Sequence, residues 1–243
     1  MNAYRQSPFA NLTQVVKNLL IVNFIFFLAF KLFDPSDTLG PVTKLFGSFY
    51  FDSPLFKPWQ LVTYMFMHGG FEHILFNMFA LFSFGPILEY NMGPKKFLNF
   101  YFICGIGAVI CQMAVQAIEV HNLIGTFTIP SPNLDQSYFQ AAGPQYQKLY
   151  DMYHGPLVGA SGAIFGLLVA FGMLYPNLEL MILFIPVPVK AKYIIPVYIL
   201  IEISLGFGQF AGDNVAHFAH LGGALFGFIL VKAWKLKSPG NFY

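Results

Sequence analysis

The residues able to do chemistry in this chain are few and stand in apolar surroundings, so they are easy to isolate. Ser161 lies in Gly159-Ala160-Ser161-Gly162-Ala163-Ile164-Phe165-Gly166, and His220 in Ala216-His217-Phe218-Ala219-His220-Leu221-Gly222-Gly223-Ala224-Leu225-Phe226-Gly227. His73 and Asn77, in His73-Ile74-Leu75-Phe76-Asn77, are one helical turn apart and therefore share a face of a helix. A serine hydroxyl is a weak nucleophile until an imidazole accepts its proton, and the oxyanion formed on attack needs fixed donors in a site of low dielectric. Ser161 as nucleophile, His220 as general base, and His73 with Asn77 as oxyanion donors are the parts of an acyl-transfer site. Gly159 and Gly162 allow close backbone approach and a free main-chain N–H at a helix start, a further oxyanion donor. No carboxylate is placed to orient His220: Asp213 stands about two turns away and Glu202 has no argued proximity. The expectation is a Ser–His dyad.

Membrane-crossing elements must position these groups. The 243 residues are 56% apolar and 10% charged, against roughly 45–50% and about 25% in a typical soluble domain. Thirty Phe and thirteen Tyr would leave a soluble globule with large exposed apolar patches, whereas a bilayer accepts them. A net charge of +2 is too small to point to a nucleic-acid partner. Six stretches approach the length needed to cross a roughly 30 Å hydrocarbon layer, near 18–33, 73–90, 97–118, 158–175, 193–208 and 215–233. The predicted fold is an all-α, six-transmembrane-helix bundle over 18–233. It is preceded by an N-terminal segment of 1–17, followed by a tail of 234–243, and carries outer loops at about 34–72 and 119–157.

Nine of the thirteen Lys and Arg residues, Arg5, Lys95, Lys96 and Lys232 among them, fall on the side that holds both termini. Eight of the eleven acids, including Asp34, Asp52 and Asp151, fall on the other. The positive-inside rule makes both termini cytoplasmic. Residues 178–189 are apolar but short and contain Pro186 and Pro188, which predicts an interfacial connection rather than a seventh span. Cys104 and Cys111 would sit about 10 Å apart along one helix, beyond disulfide reach, as packing or lipid-facing residues. No cleaved targeting segment is evident. Counting inward along the fourth span puts Ser161 roughly 8–10 Å below the outer surface, and counting from Asp213 puts His220 about 10 Å deep. His73 and Asn77 fall near the same level.

With these residues in view, the chain resembles the rhomboid intramembrane serine proteases. The family's Gly-x-Ser-Gly at the start of a short fourth helix is matched by Gly159-Ala160-Ser161-Gly162, and its sixth-helix motif by His220-Leu221-Gly222-Gly223 with Gly227. Its second-helix His-x-x-x-Asn is matched by His73 and Asn77, and the end of that helix by Gly85 with Glu89-x-x-x-Gly93. The similarity covers about 59–233 and implies His220, not His217, as the base. Two departures stand out. Trp59-Gln60 replaces the Trp-Arg often found in the first outer loop, and Phe165 replaces a Tyr whose ring stacks on the catalytic His.

Blander roles compete with each assignment. Ser161 taken alone, Gly162-x-x-x-Gly166 and Gly223-x-x-x-Gly227 all suit close helix packing. His217 is expected to be structural or solvent-facing; His68, His121 and His154 lie at or outside the interface; Glu202 is expected to make a hydrogen bond within the bundle. His-Glu-x-x-His is absent, as are paired intramembrane Asp residues, which argues against metallo- and aspartyl proteases. A transporter would show halves and a charged path. The resulting expectation is an intramembrane serine endopeptidase needing no cofactor or metal. Its partners are transmembrane protein substrates and the lipid bilayer, and it sits in a bacterial inner membrane with the site opening outward. The alternative is an inactive rhomboid-like protein that escorts membrane clients.

Overall fold

A computed structural model describes residues 12–34, 39–128, 143–182, 185–208 and 215–238. Four helices among them are long and apolar enough to cross a membrane: α1 (Gln14–Phe33), α4 (Phe71–Met92), α5 (Pro94–Ile124) and α8 (Ala191–Gly208). Two shorter apolar helices, α7 (Ser161–Leu174) and α9 (His217–Ala233), complete the bundle. Short helices α2 (Pro41–Phe46) and α3 (Gln60–Thr63) lie between α1 and α4, and α6 (Pro144–His154) precedes α7.

The six apolar helices correspond to the six expected spans, with shifted ends. α5 runs to Ile124, so the expected loop over 119–157 begins as helix and contains another, α6. Tyr50, Val120, Leu149 and Tyr153 form a small cluster of their own there. Where an interfacial connection over 178–189 was expected, β1 (Glu179–Ile182) and β2 (Ile185–Lys190) pair antiparallel, so the described residues are mostly helical and not all-α. Pro186 and Pro188 are tolerated because a two-stranded ribbon has only edges. Arg5, Asp37, Asp135 and Asp213 lie outside the described residues.

α7 is the centre of the molecule. It has 14 residues, about 21 Å of helix, and its buried positions run almost unbroken from Gly162 to Leu167. Lipid tails are as apolar as leucine, so burial gives little drive between helices in a bilayer, and close packing of small residues must hold them. A Cβ on Gly223 of α9 would overlap the Gly162 carbonyl, and one on Gly227 would stand 2.6 Å from the Gly166 carbonyl. The two small-x-x-x-small motifs are thus pressed against each other along α7 and α9. On its other side α7 meets α5, where Cys104 faces Gly166, while Cys111 of α5 faces Gly222 of α9. Both cysteines are packing residues, and both are free.

Polar groups tie the periphery. Glu89 near the end of α4 reaches the start of α1, accepting from Val15 N–H at 3.1 Å, Val16 N–H at 2.9 Å and the Thr13 hydroxyl. A carboxylate there satisfies orphan N–H groups and complements the helix dipole. Asp34 does the same for α2, accepting from Val42 and Thr43 N–H at 3.0 and 2.7 Å. Gln60, fully buried, accepts from Lys57 N–H at 2.9 Å and donates to the Lys44 and Leu55 carbonyls at 2.9 and 3.0 Å. The glutamine in place of arginine therefore braces the first outer loop with an uncharged group.

Candidate active site

The segment leading into α7 is held straight before it turns. Ser48 and Leu157 exchange backbone hydrogen bonds, N–H to O at 3.0 and 2.7 Å, and Gly159 N–H donates to the Tyr64 carbonyl at 3.0 Å. At Gly159 the chain takes φ 131°, a conformation open to glycine and strained for other residues. A Cβ at Gly159 would also lie 2.7 Å from His73 Nε2, so the absence of a side chain admits that imidazole. Ser161 is then the first residue of α7, where the early N–H groups of a helix have no intrahelical acceptor. Gly162 adds the close contact with α9 that brings the two helices together.

Across that contact, the Ser161 hydroxyl donates to His220 Nε2 at 2.8 Å. His220 Nδ1 lies 2.9 Å from Glu202 Oε2, and His217 Nδ1 lies 2.7 Å from the same oxygen. A carboxylate can only accept, so both Nδ1 atoms carry the proton and His220 Nε2 presents a lone pair to Ser161. Glu202 and His217 are buried, and the His220 side chain is 12% exposed. The expectation of a bare Ser–His pair is therefore corrected: a carboxylate does stand behind His220, reached across a helix pair instead of along one helix. His217 is likewise corrected from structural or solvent-facing to a buried partner of that carboxylate. One signal was readable in advance. Positions 217 and 220 share a helix face, and an ionisable residue in the preceding span must find polar neighbours somewhere.

Phe165, one turn after Ser161, stacks on His220 with centroids 4.3 Å apart and rings 10° from parallel. Tyr198 of α8 also stacks on Phe165, at 5.3 Å and 9°. The stacking surface is kept, and a tyrosine enters the stack from another helix. Asn77 is buried and donates one Nδ2 hydrogen to the His73 carbonyl at 2.9 Å, leaving the second free. His68 is 1% exposed with its ring edge-on to His73 at 5.0 Å, so it backs His73 and is not at the surface as expected. Burial, with the neighbouring His73 imidazole, pushes the His68 pKa down to about 3. His121 and His154 lie at the ends of α5 and α6, ring-stacked on Phe127 and Tyr150.

Ser161, His220, His73 and Asn77 all line one cavity of about 960 Å³. Its remaining wall is apolar and runs between α4, with Phe76 and Phe79, and α8, with Val197 and Ile201. These four side chains are also exposed on the outside of the bundle. A hydroxyl hydrogen-bonded to an oriented imidazole, with donors to one side and an apolar groove beside it, suits attack on a carbonyl carried by an apolar chain.

A protein-family model described as Rhomboid domain matches residues 55–235. The chain is 30% identical to rhomboid protease GluP of Bacillus subtilis (strain 168) over 184 residues, 76% of this chain and 27% of that protein. It is 31% identical to putative rhomboid protease YdcA of the same organism over 172 residues, 71% of this chain and 65% of that one. With RHOMBOID-like protein 12, mitochondrial, of Arabidopsis thaliana it shares 27% over 185 residues, 75% of this chain and 47% of that protein. The chain thus spans less than two thirds of the length of each of these relatives.

Proposed function

The chain belongs to the rhomboid family, whose domain is a multi-span helical membrane fold, and on that premise we propose that it is an intramembrane serine endopeptidase acting on transmembrane segments of other proteins. The observation that carries the proposal is the 2.8 Å hydrogen bond from the Ser161 hydroxyl to His220 Nε2 inside a cavity with an apolar wall.

In the first step the Ser161 proton passes to His220 Nε2 as Oγ bonds the scissile carbonyl carbon and the C=O π electrons move onto oxygen. His73, the free Nδ2 hydrogen of Asn77 and the Ser161 main-chain N–H receive that oxyanion. His220 then gives its proton to the departing amine nitrogen as the C–N bond breaks, leaving an acyl-Ser161 ester. Water, deprotonated by His220, then attacks the ester carbonyl carbon; the acyl C–Oγ bond breaks, His220 returns the proton to Ser161 Oγ, and the new carboxyl end of the substrate leaves. No cofactor or metal is called for by this chemistry. A substrate helix hides its carbonyls in its own hydrogen bonds and must unwind before attack, so segments weakened by Gly or Pro are the favoured substrates. The groove between α4 and α8 supports lateral access from the bilayer. The bias of Lys and Arg supports cytoplasmic termini and a site facing the opposite side.

The test is purified protein in detergent with a single-span substrate rich in helix-weakening residues. Wild type is expected to cleave it and to be labelled at Ser161 by a fluorophosphonate. Ser161→Ala and His220→Ala each lower kcat by about 10³-fold or more, to the residual rate that oxyanion donors and binding alone support. A wild-type protein that binds the substrate but neither cleaves nor labels overturns the proposal in favour of a client-binding protein.

A further inference from the structure

Glu202 stands in the middle of α8, an apolar helix with much of its surface exposed, yet its own side chain is buried. A charged side chain at such a depth is retained only where other groups take up its lone pairs. Here two imidazoles do so, both through Nδ1 and both onto Oε2, at 2.7 and 2.9 Å. Those distances are the ones expected of charge-assisted hydrogen bonds. The order of contacts is His217, Glu202, His220, Ser161, and it spans α9, α8, α9 again and α7. Gly206 permits this, because a Cβ there would stand 3.2 Å from His217 Cβ and push α8 away from α9.

We propose that Glu202 is a positioning residue for His220, fixing its tautomer and ring plane toward Ser161, and that His217 anchors Glu202 in turn. The proposal rests on the reading of Ser161 and His220 as the reacting pair. Without an acceptor at Nδ1 the imidazole is free to carry its proton on Nε2, which turns a donor toward the serine and removes the base. With Glu202 in place that tautomer is excluded, and Phe165 on one ring face leaves a single orientation. When His220 receives the serine proton, the imidazolium forms 2.9 Å from a carboxylate that water does not screen. Glu202 keeps its charge throughout and takes no proton. His217 makes its bond from the first turn of α9, one turn before His220, so a single rigid helix carries both the base and the anchor of its partner.

The experiment measures kcat and KM on the single-span substrate, the rate of Ser161 labelling by a fluorophosphonate, the thermal midpoint, and the tautomer of His220 by nitrogen-15 NMR of histidine-labelled protein in micelles. Glu202→Gln is expected to lower kcat and the labelling rate together by about tenfold or more with KM changed by less than about twofold, because the charge beside the imidazolium is gone. Glu202→Ala additionally shifts His220 from the Nδ1-protonated form to a mixture of tautomers. His217→Ala lowers kcat by about threefold to tenfold, one lost hydrogen bond to a charged group, and His217→Asn recovers most of it, since its amide nitrogen stands where Nδ1 stood. Unchanged kcat and an unchanged tautomer in Glu202→Ala overturn the proposal. So does a lowered thermal midpoint with kcat, labelling and tautomer all at wild-type values, which assigns Glu202 to folding alone. If wild type neither cleaves nor labels, the protease reading fails, and the His220 tautomer in wild type and Glu202→Ala still decides the positioning role.

Discussion

Ser161 and His220 are 59 positions apart in the chain, yet the side chains around them show how narrowly their meeting is defined. Phe165 stacks with both His220 and Tyr198, nearly parallel to each. An aromatic pair of this kind contributes about 0.5–1.5 kcal/mol beyond its burial, so Phe165→Leu is expected to lower kcat by about threefold to tenfold through a looser imidazole. Phe165→Tyr keeps the ring and stays near wild type, and the check is kcat for both on the same substrate. Much of this neighbourhood was readable from residue types: a Ser between glycines, a His before a glycine pair, and a His and Asn one turn apart. For Glu202 and His217 only the shared face of 217 and 220 was readable, because spacing rules describe neighbours along one helix, whereas the carboxylate reaches both imidazoles from another helix. Gln60 is a departure visible in the sequence, but its three hydrogen bonds depend on where the fold puts the Lys57 N–H and the Lys44 and Leu55 carbonyls.

At the scale of elements, the pairing of α7 with α9 sets the distance between hydroxyl and imidazole. Gly223 has backbone, not a flexible side chain, as the neighbour of any added methyl group. Gly223→Ala must therefore part the two helices, with an expected loss of about 1–3 kcal/mol of stability. A shift of about 1 Å at the serine is enough to cut cleavage by about 100-fold. Thermal midpoint and Ser161 labelling measured on the same preparation test both effects, and a labelling rate at the wild-type value would deny this contact its part in alignment. The helices themselves followed from apolar length. Their ends did not: α5 continues past 118 to Ile124, because aromatic and aliphatic residues of α6 and Tyr50 cover the part that emerges. The pairing of β1 with β2 was hidden for a different reason, since a short apolar run with two prolines fits an interfacial loop equally well.

For the whole molecule, His68 ties stability to pH on the acid side from outside the spans. His68 is held neutral in the fold, with its pKa pushed down to about 3, while the unfolded chain takes a proton near the ordinary value of about 6.5. The unfolded state thus binds more protons between those limits, and stability falls as pH drops from about 6.5 toward 3, by at most about 1.4 kcal/mol per pH unit from this residue. His68→Gln, which cannot titrate, is expected to show a shallower fall in thermal midpoint between pH 7 and pH 5. An identical fall in both proteins would remove His68 as the source.

The 14-residue length of α7 has an effect on how the protein meets different membranes. Most of α7 is buried among its neighbours, with an opening along the groove between α4 and α8, so hydrophobic mismatch acts on it mainly through those neighbours. Thicker or thinner bilayers act first on α1, α4, α5, α8 and α9, which carry exposed apolar side chains, while the inner helix keeps its own dimension. The distance from the serine to the aqueous side is then set more by the packing inside the protein than by the thickness of the membrane around it.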